Sequence, residues 1–380
     1  MRLPFTLFLS AALLTACSAP PPSRQASAPA QPAQAAQPAQ PPKPAPVQAV
    51  QPPDPVTVRV AQIDSATFTA APASDQTPAQ APKTEAKAQP DDLLIRVQTM
   101  LDRVRFSPGV IDGLDGTNFH HALAAYQGFK GLPASGHLDD ATWKALLAEP
   151  TSAKPEVQAY VISPEDEAGP FAPDVGEDFV KLAALPGGPQ FSTPQEMLAA
   201  RFHMSRDLLA TLNPGVDFAK PGGRLIVADP GAVPLMKGQV ASITVSKDHA
   251  QVEAFDQSGA LLASYPATVG STERPSPSGV HKINGVAWHT DYVYDPSKLH
   301  WGPRSHGKLV IKPGPKGPVG TVWIDLNAPD YGIHGSPDAE KIGKTASHGC
   351  VRLTNWDAEA LAGGVKPGVT VSFEGKRKKA

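Results

Sequence analysis

The chain has 380 residues, with 34 basic and 36 acidic side chains giving a net charge of −2, so no chain-wide field selects nucleic acid as a partner. The usual ~150 residues per domain points to two or three domains, but 43 prolines and 32 glycines exclude a chain that is packed throughout. Two cysteines exclude a disulfide-dense framework and a four-cysteine zinc site, so each needs its own explanation.

Residues 1–17 place Met1-Arg2 ahead of the apolar run Leu7-Phe8-Leu9-Ser10-Ala11-Ala12-Leu13 and close on Leu14-Thr15-Ala16-Cys17. A charged start, an apolar stretch and a small-residue cleavage site make a secretory signal, too short for a spanning helix of ~20 residues. Leu14 to Cys17 resembles the bacterial lipobox, which implies that Cys17 is acylated and becomes the mature N-terminus. The bland alternative is an ordinary signal peptide with an incidental cysteine. Ser18, where an aspartate would signal retention, implies an exported, periplasmic lipoprotein held by Cys17 in the lipid bilayer of the outer membrane.

Residues 18–90 hold 17 of the prolines, with repeats such as Ala30-Gln31-Pro32 and Ala39-Gln40-Pro41. Such composition buries too little apolar area to offset chain entropy and predicts a disordered tether, partly polyproline II. At ~3.1 Å per residue it reaches on the order of 200 Å.

Helical spacing begins with Leu93, Leu94, Val97, Met100, Leu101 and Val104, continues through Phe119, Ala122, Leu123, Tyr126 and Phe129, and ends with Trp143, Leu146 and Leu147 behind an Asp139/Asp140 cap. This predicts a small all-α, three-helix domain over 91–149. The turns Pro108-Gly109-Val110-Ile111-Asp112-Gly113 and Gly131-Leu132 to Thr142-Trp143 resemble the peptidoglycan-binding three-helix domain, implying glycan strands as partners. Tyr126 reads better as core than as a sugar contact.

Residues 150–178 read as a Pro/Glu/Asp-rich linker. In 179–231, a helix from Pro194 to Phe202, a second one capped by Ser205 and broken by Asn213-Pro214-Gly215, and a strand Arg224-Leu225-Ile226-Val227-Ala228 resemble a LysM module, a small α/β fold. Its first strand is poorly matched, so a glycan binder and a mere packing module both stand.

From Gly238 the pattern turns to β: Val240–Val245, Gln251–Phe255, and further runs at 280–288, 308–312 and 319–326 predict a mainly-β domain over 238–374, closed as a sandwich or barrel, with a helix at 356–363. A basic tail fills 375–380. A thiol of pKa ~8.5 is mostly protonated at neutral pH, and an adjacent imidazole lowers that value. His334 and His348 are the candidates beside Cys350. A histidine two residues away on a turn is badly placed, whereas His334, at the end of a neighbouring strand, can face the thiol. Gly335 and Gly349 permit close backbone approach, amides around Gly349-Cys350 make a candidate oxyanion hole, and a carbonyl at Gly335 can orient the imidazole.

Tyr331-Gly332-Ile333-His334-Gly335-Ser336 followed by Ser347-His348-Gly349-Cys350-Val351-Arg352-Leu353 resembles the L,D-transpeptidase (YkuD) family, and Arg274 to Gly279 resembles that family's T-P-x-G turn. The resemblance implies Cys350 as nucleophile, His334 as proton donor and acceptor, Gly335 as the orienting carbonyl, and Ser347, His348 and Gly349 around the oxyanion. Arg352 braces the loop, the favoured reading, or meets a substrate carboxylate. It further implies peptidoglycan stem peptides as substrates, cleaved before the terminal D-alanine, with no metal and no cofactor. The acceptor stays open between a second stem, a D-amino acid, a lipoprotein lysine and water, the last making a carboxypeptidase. Competing readings are a buried structural cysteine, a His334/His348/Cys350 metal site, which lacks ligand spacing, a cysteine peptidase, and a wall-binding tether with Cys350 inactive.

Overall fold

The computed structural model describes residues 53–69, 88–231, 233–297, 306–347 and 349–375. The expected signal peptide with Cys17, most of the tether, His348 and the tail 376–380 lie outside them.

Within the expected tether, α1 (Pro55–Asp64) is a helix, capped by Asp54 accepting the Thr57 N–H and begun by Pro55 at a position that needs no donor. Val56, Val60 and Ile63 recur at helical spacing and pack on the core of the module at 157–228, with Ile63 fully buried. Arg59 makes a bidentate pair with Asp92 at 2.5 and 2.6 Å. Disorder is therefore corrected for 53–69: one apolar stripe that finds a partner outweighs the surrounding composition.

Three helices follow: α2 (Asp92–Arg103), α3 (Thr117–Phe129) and α4 (Asp140–Leu147), with α4 capped by Asp139 accepting the Thr142 N–H. Tyr126 is fully buried and its hydroxyl donates to Glu149 at 2.8 Å, which makes it a core residue. Residues 150–178 are not a plain linker. They contain β1 (Val157–Val161) and α5 (Pro164–Ala168), after which come α6 (Phe179–Ala183), α7 (Pro194–Arg201), α8 (Arg206–Leu212) and β2 (Arg224–Ala228). β1 pairs antiparallel with β2, Val157 opposite Ala228, so the partner of the 224–228 strand lies upstream of the expected module start at 179. Asn213 links α8 to β2 by donating to Leu209 and Ile226 carbonyls and accepting the Ile226 N–H.

The remaining strands are β3 (Ser242–Ser246), β4 (Gln251–Phe255), β5 (Leu261–Pro266), β6 (Gly279–Trp288), β7 (Tyr292–Tyr294), β8 (Leu309–Ile311), β9 (Val322–Leu326), β10 (Gly332–His334), β11 (Val351–Arg352) and β12 (Thr370–Glu374), with α9 (Asn355–Gly364) before the last. Eight of them form one sheet in the order β11-β10-β9-β6-β12-β3-β4-β5, and β7 pairs with β8 separately. The expected sandwich or barrel is thus one curled sheet. Its edges meet just past β5, where Thr268 bridges Arg352 and Gly270 bridges Ser347. The middle of β5 is covered by Phe106 of the helical module, which bridges Ser264. Both contacts satisfy an edge that would otherwise be open to other chains.

Candidate active site

β10 and β11 run parallel, with Ile333 opposite Val351 and His334 opposite Arg352. Residues in register on neighbouring strands point to the same side of a sheet, so His334 and Arg352 share a face, and Cys350 immediately precedes β11. All three line a cleft of about 920 Å³. On the other side β10 pairs with β9, where Trp323 lies opposite His334 and stacks on it, with ring centroids 5.3 Å apart.

His334 is buried and its Nδ1 lies 2.7 Å from the Gly335 carbonyl. A carbonyl only accepts, so Nδ1 carries the proton and Nε2 of the neutral ring keeps its lone pair. Burial, and secondarily the Arg352 cation, push the His334 pKa down to about 3. Cys350 is half-buried, and its thiol is 3.8 Å from the Asp330 carbonyl. Burial raises its pKa, although the Gly332 amide and Arg352 act in the opposite sense. The expected lowering of the thiol by its imidazole is therefore not the resting condition. Both partners are held neutral because a low-dielectric site disfavours either charge.

The loop before Cys350 is held by serines. Ser347, buried, donates from Oγ to the Cys350 carbonyl at 2.5 Å and accepts the Gly349 N–H at 3.0 Å. Ser276, also buried, donates to the Gly349 carbonyl at 2.7 Å and accepts the Gly270 N–H at 2.8 Å. Gly349 has φ +124°, and a Cβ there would stand 2.8 Å from the Tyr331 ring, so both conformation and space require glycine. Sequence reasoning noted the turn containing Ser276 but not this role. It quoted Tyr331 in the His334 motif without giving it a role, and it missed Trp323 and Tyr292, which reach the cleft from β9 and β7.

Arg352 bridges Thr268 through its backbone. Arg352 is among the residues lining the cleft, and among the described residues its buried Nε has no hydrogen-bond partner.

Comparison with known families matches residues 241–372 to the L,D-transpeptidase catalytic domain, and residues 90–146 to a "Putative peptidoglycan binding domain". Residues 241–372 are an L,D-transpeptidase catalytic domain. Among curated proteins, the "Putative L,D-transpeptidase YkuD" of Bacillus licheniformis is 28% identical over 181 residues, covering 47% of this chain and 92% of that protein. The "Probable L,D-transpeptidase YbiS" of Escherichia coli K12 is 27% identical over 188 residues, covering 47% of this chain and 60% of that one. Cys350, His334 and Arg352 all fall inside the L,D-transpeptidase domain, and the 90–146 match covers α2, α3 and α4.

Proposed function

We propose that this protein is a peptidoglycan L,D-transpeptidase in which Cys350 carries the acyl group and His334 moves the protons. The observation that carries the reading is the 2.7 Å contact of His334 Nδ1 with the Gly335 carbonyl, which assigns the proton to Nδ1 and leaves Nε2 as the base in the cleft that Cys350 also lines. Holding the pair neutral defers proton transfer until a substrate carbonyl is in place.

In the first step Nε2 takes the thiol proton as Sγ attacks the carbonyl between the third stem residue and the terminal D-alanine. The peptide C–N bond breaks, D-alanine leaves with the proton from His334, and a thioester remains on Cys350. An acceptor amine then gives a proton to Nε2 and attacks the thioester, forming the new amide and restoring the thiol. Because the Gly349 carbonyl is taken by Ser276, the trans peptide directs the Cys350 N–H the other way, and this N–H is the favoured oxyanion donor. The Gly349 N–H is already engaged by Ser347. Arg352 lines the cleft with Cys350 and His334, a position that favours contact of its cation with the substrate's terminal carboxylate over the bracing role.

The same reading makes the 90–146 domain a holder of glycan strands. The unit bounded by the antiparallel pair β1 and β2, with α7 and α8 directly before β2, is a second one on the LysM resemblance, although α5 and α6 are also inserted after β1. The site lies outside the cytoplasm, with Cys17 as lipid anchor.

The test incubates the chain from Ser18 onward, which retains α1, with a disaccharide-tetrapeptide and weighs the products. A dimer lighter by one D-alanine is expected, absent with Cys350→Ala and His334→Ala. Only trimmed monomer would replace crosslinking by carboxypeptidase activity, and dimer formation by Cys350→Ala would overturn the nucleophile.

A further inference from the structure

Residues 176–182 lie outside both matched domains, yet Gly176, Glu177, Phe179 and Leu182 line the cleft that holds Cys350 and His334. What they pack against is the β7–β8 hairpin. Its register sets Tyr292 opposite Ile311, Val293 opposite Val310 and Tyr294 opposite Leu309, so Tyr292, Tyr294 and Ile311 share one face. Tyr294 and Ile311 are fully buried, while Val293 and Val310 on the opposite face are 46% and 49% exposed.

This hairpin forms a sheet of its own, separate from the eight-stranded sheet. Two strands alone are marginal in water and take their position from whatever covers them. Here α6 does so: the Phe179 ring stacks on Tyr294 at 5.0 Å and lies 5.8 Å from Tyr292. The chain after α6 is held to the residues after β8. Lys312 Nζ donates to the Pro186 carbonyl at 2.6 Å and the Lys316 N–H to the Pro189 carbonyl at 3.1 Å. A Cβ on Gly314 would stand 2.1 Å from that same Pro189 oxygen, so the two backbones touch where only glycine fits. Tyr292 lines the same cleft as Cys350, and burial pushes its phenol up to about 12.

We propose that the segment 176–182 completes the substrate cleft from outside the catalytic domain, Phe179 being a positioning residue that holds the β7–β8 hairpin, and with it Tyr292, beside Cys350 for stem-peptide binding. The proposal rests on the reading of Cys350 as the acyl-carrying thiol.

The experiment compares the wild-type chain from Ser18 onward with Phe179→Ala, measuring kcat and KM for D-alanine release from the tetrapeptide, and alkylation of Cys350 by iodoacetamide. Phe179→Ala is expected to raise KM about tenfold, the equivalent of about 1.4 kcal/mol for a lost aromatic pair. kcat should change far less, the alkylation rate should not fall, and Phe179→Tyr should restore the wild-type KM. If Phe179→Ala does not fold, Phe179→Leu, which keeps apolar volume without the stack, takes its place with the same expected KM rise. An unchanged KM, or a rise in KM accompanied by a matching fall in kcat and alkylation, overturns the positioning role. A wild type whose D-alanine release survives Cys350→Ala would instead overturn the nucleophile itself.

Discussion

Gly335→Ala probes the seat of the catalytic imidazole. The glycine does not occupy the left-handed region, so the obstacle is space and not backbone strain. A Cβ there would stand 2.1 Å from Asn355 Oδ1 and 3.3 Å from the Thr321 nitrogen. Interiors are close-packed, so one partner must give way by roughly 1 Å. Asn355 is not free to do so, because its Nδ2 donates to the Pro315 carbonyl at 2.9 Å and its Oδ1 accepts the Thr321 N–H at 3.3 Å. Overpacking costs about 1–3 kcal/mol and a lost hydrogen bond about 1 kcal/mol, giving roughly 2–4 kcal/mol in all. At about 2–4 °C per kcal/mol for a large domain, the melting temperature should drop by at least roughly 4 °C. Any shift of residue 335 also lengthens the 2.7 Å contact that selects the His334 tautomer. A misplacement of about 1 Å is worth up to about 100-fold in rate. Calorimetry and D-alanine release from the tetrapeptide read the two effects. In Gly335→Ala/Asn355→Ala the clash is gone, so the double variant should be less destabilised than the sum of the singles by about 1 kcal/mol or more. A Gly335→Ala protein with wild-type melting temperature and activity would refute the reasoning.

Two further outcomes follow from buried charges. Asp357 is buried with Ser107 Oγ 3.0 Å from its Oδ2, and burial, then the charge of Asp102, raises its pKa well above the usual value. The folded state therefore keeps a proton that the unfolded chain releases near pH ~3.9, so its contribution is full below that pH and is lost as pH rises toward the folded pKa. Relative to wild type, Asp357→Asn should gain stability as pH rises above about 4 in urea titrations, and a gap that shrinks as pH rises would contradict the sign. For the catalytic pair, with His334 at about 3 and Cys350 raised, the ultraviolet thiolate band, taken as wild type minus Cys350→Ala, should be absent at neutral pH. It should appear only above about pH 9, and a band at neutral pH would show a preformed ion pair.

Much of the site was legible in the chain because its chemistry is local. Ser347, Gly349, Cys350 and Arg352 lie within six residues, and His334-Gly335 carries both the base and the carbonyl that orients it. Helices α2, α3 and α4 announced themselves through apolar spacing and the Asp139 cap. Less visible was α1, whose three apolar positions sit in proline-rich surroundings and make sense only against the core they join. Strand β1 was hidden likewise, since its pairing partner β2 begins more than sixty residues later.

The amino-acid sequence by itself singled out the groups proposed to do chemistry, since a thiol, an imidazole and tight glycine turns are properties of residue type and short spacing. Only the tertiary structure decided their working condition. Folding the sheet until Thr268 meets Arg352 buries His334 enough to keep it neutral, and packing Phe179 on Tyr294 brings a segment from outside the catalytic domain into the cleft. Both depend on desolvation and on contacts between residues distant in the chain, which no local pattern encodes.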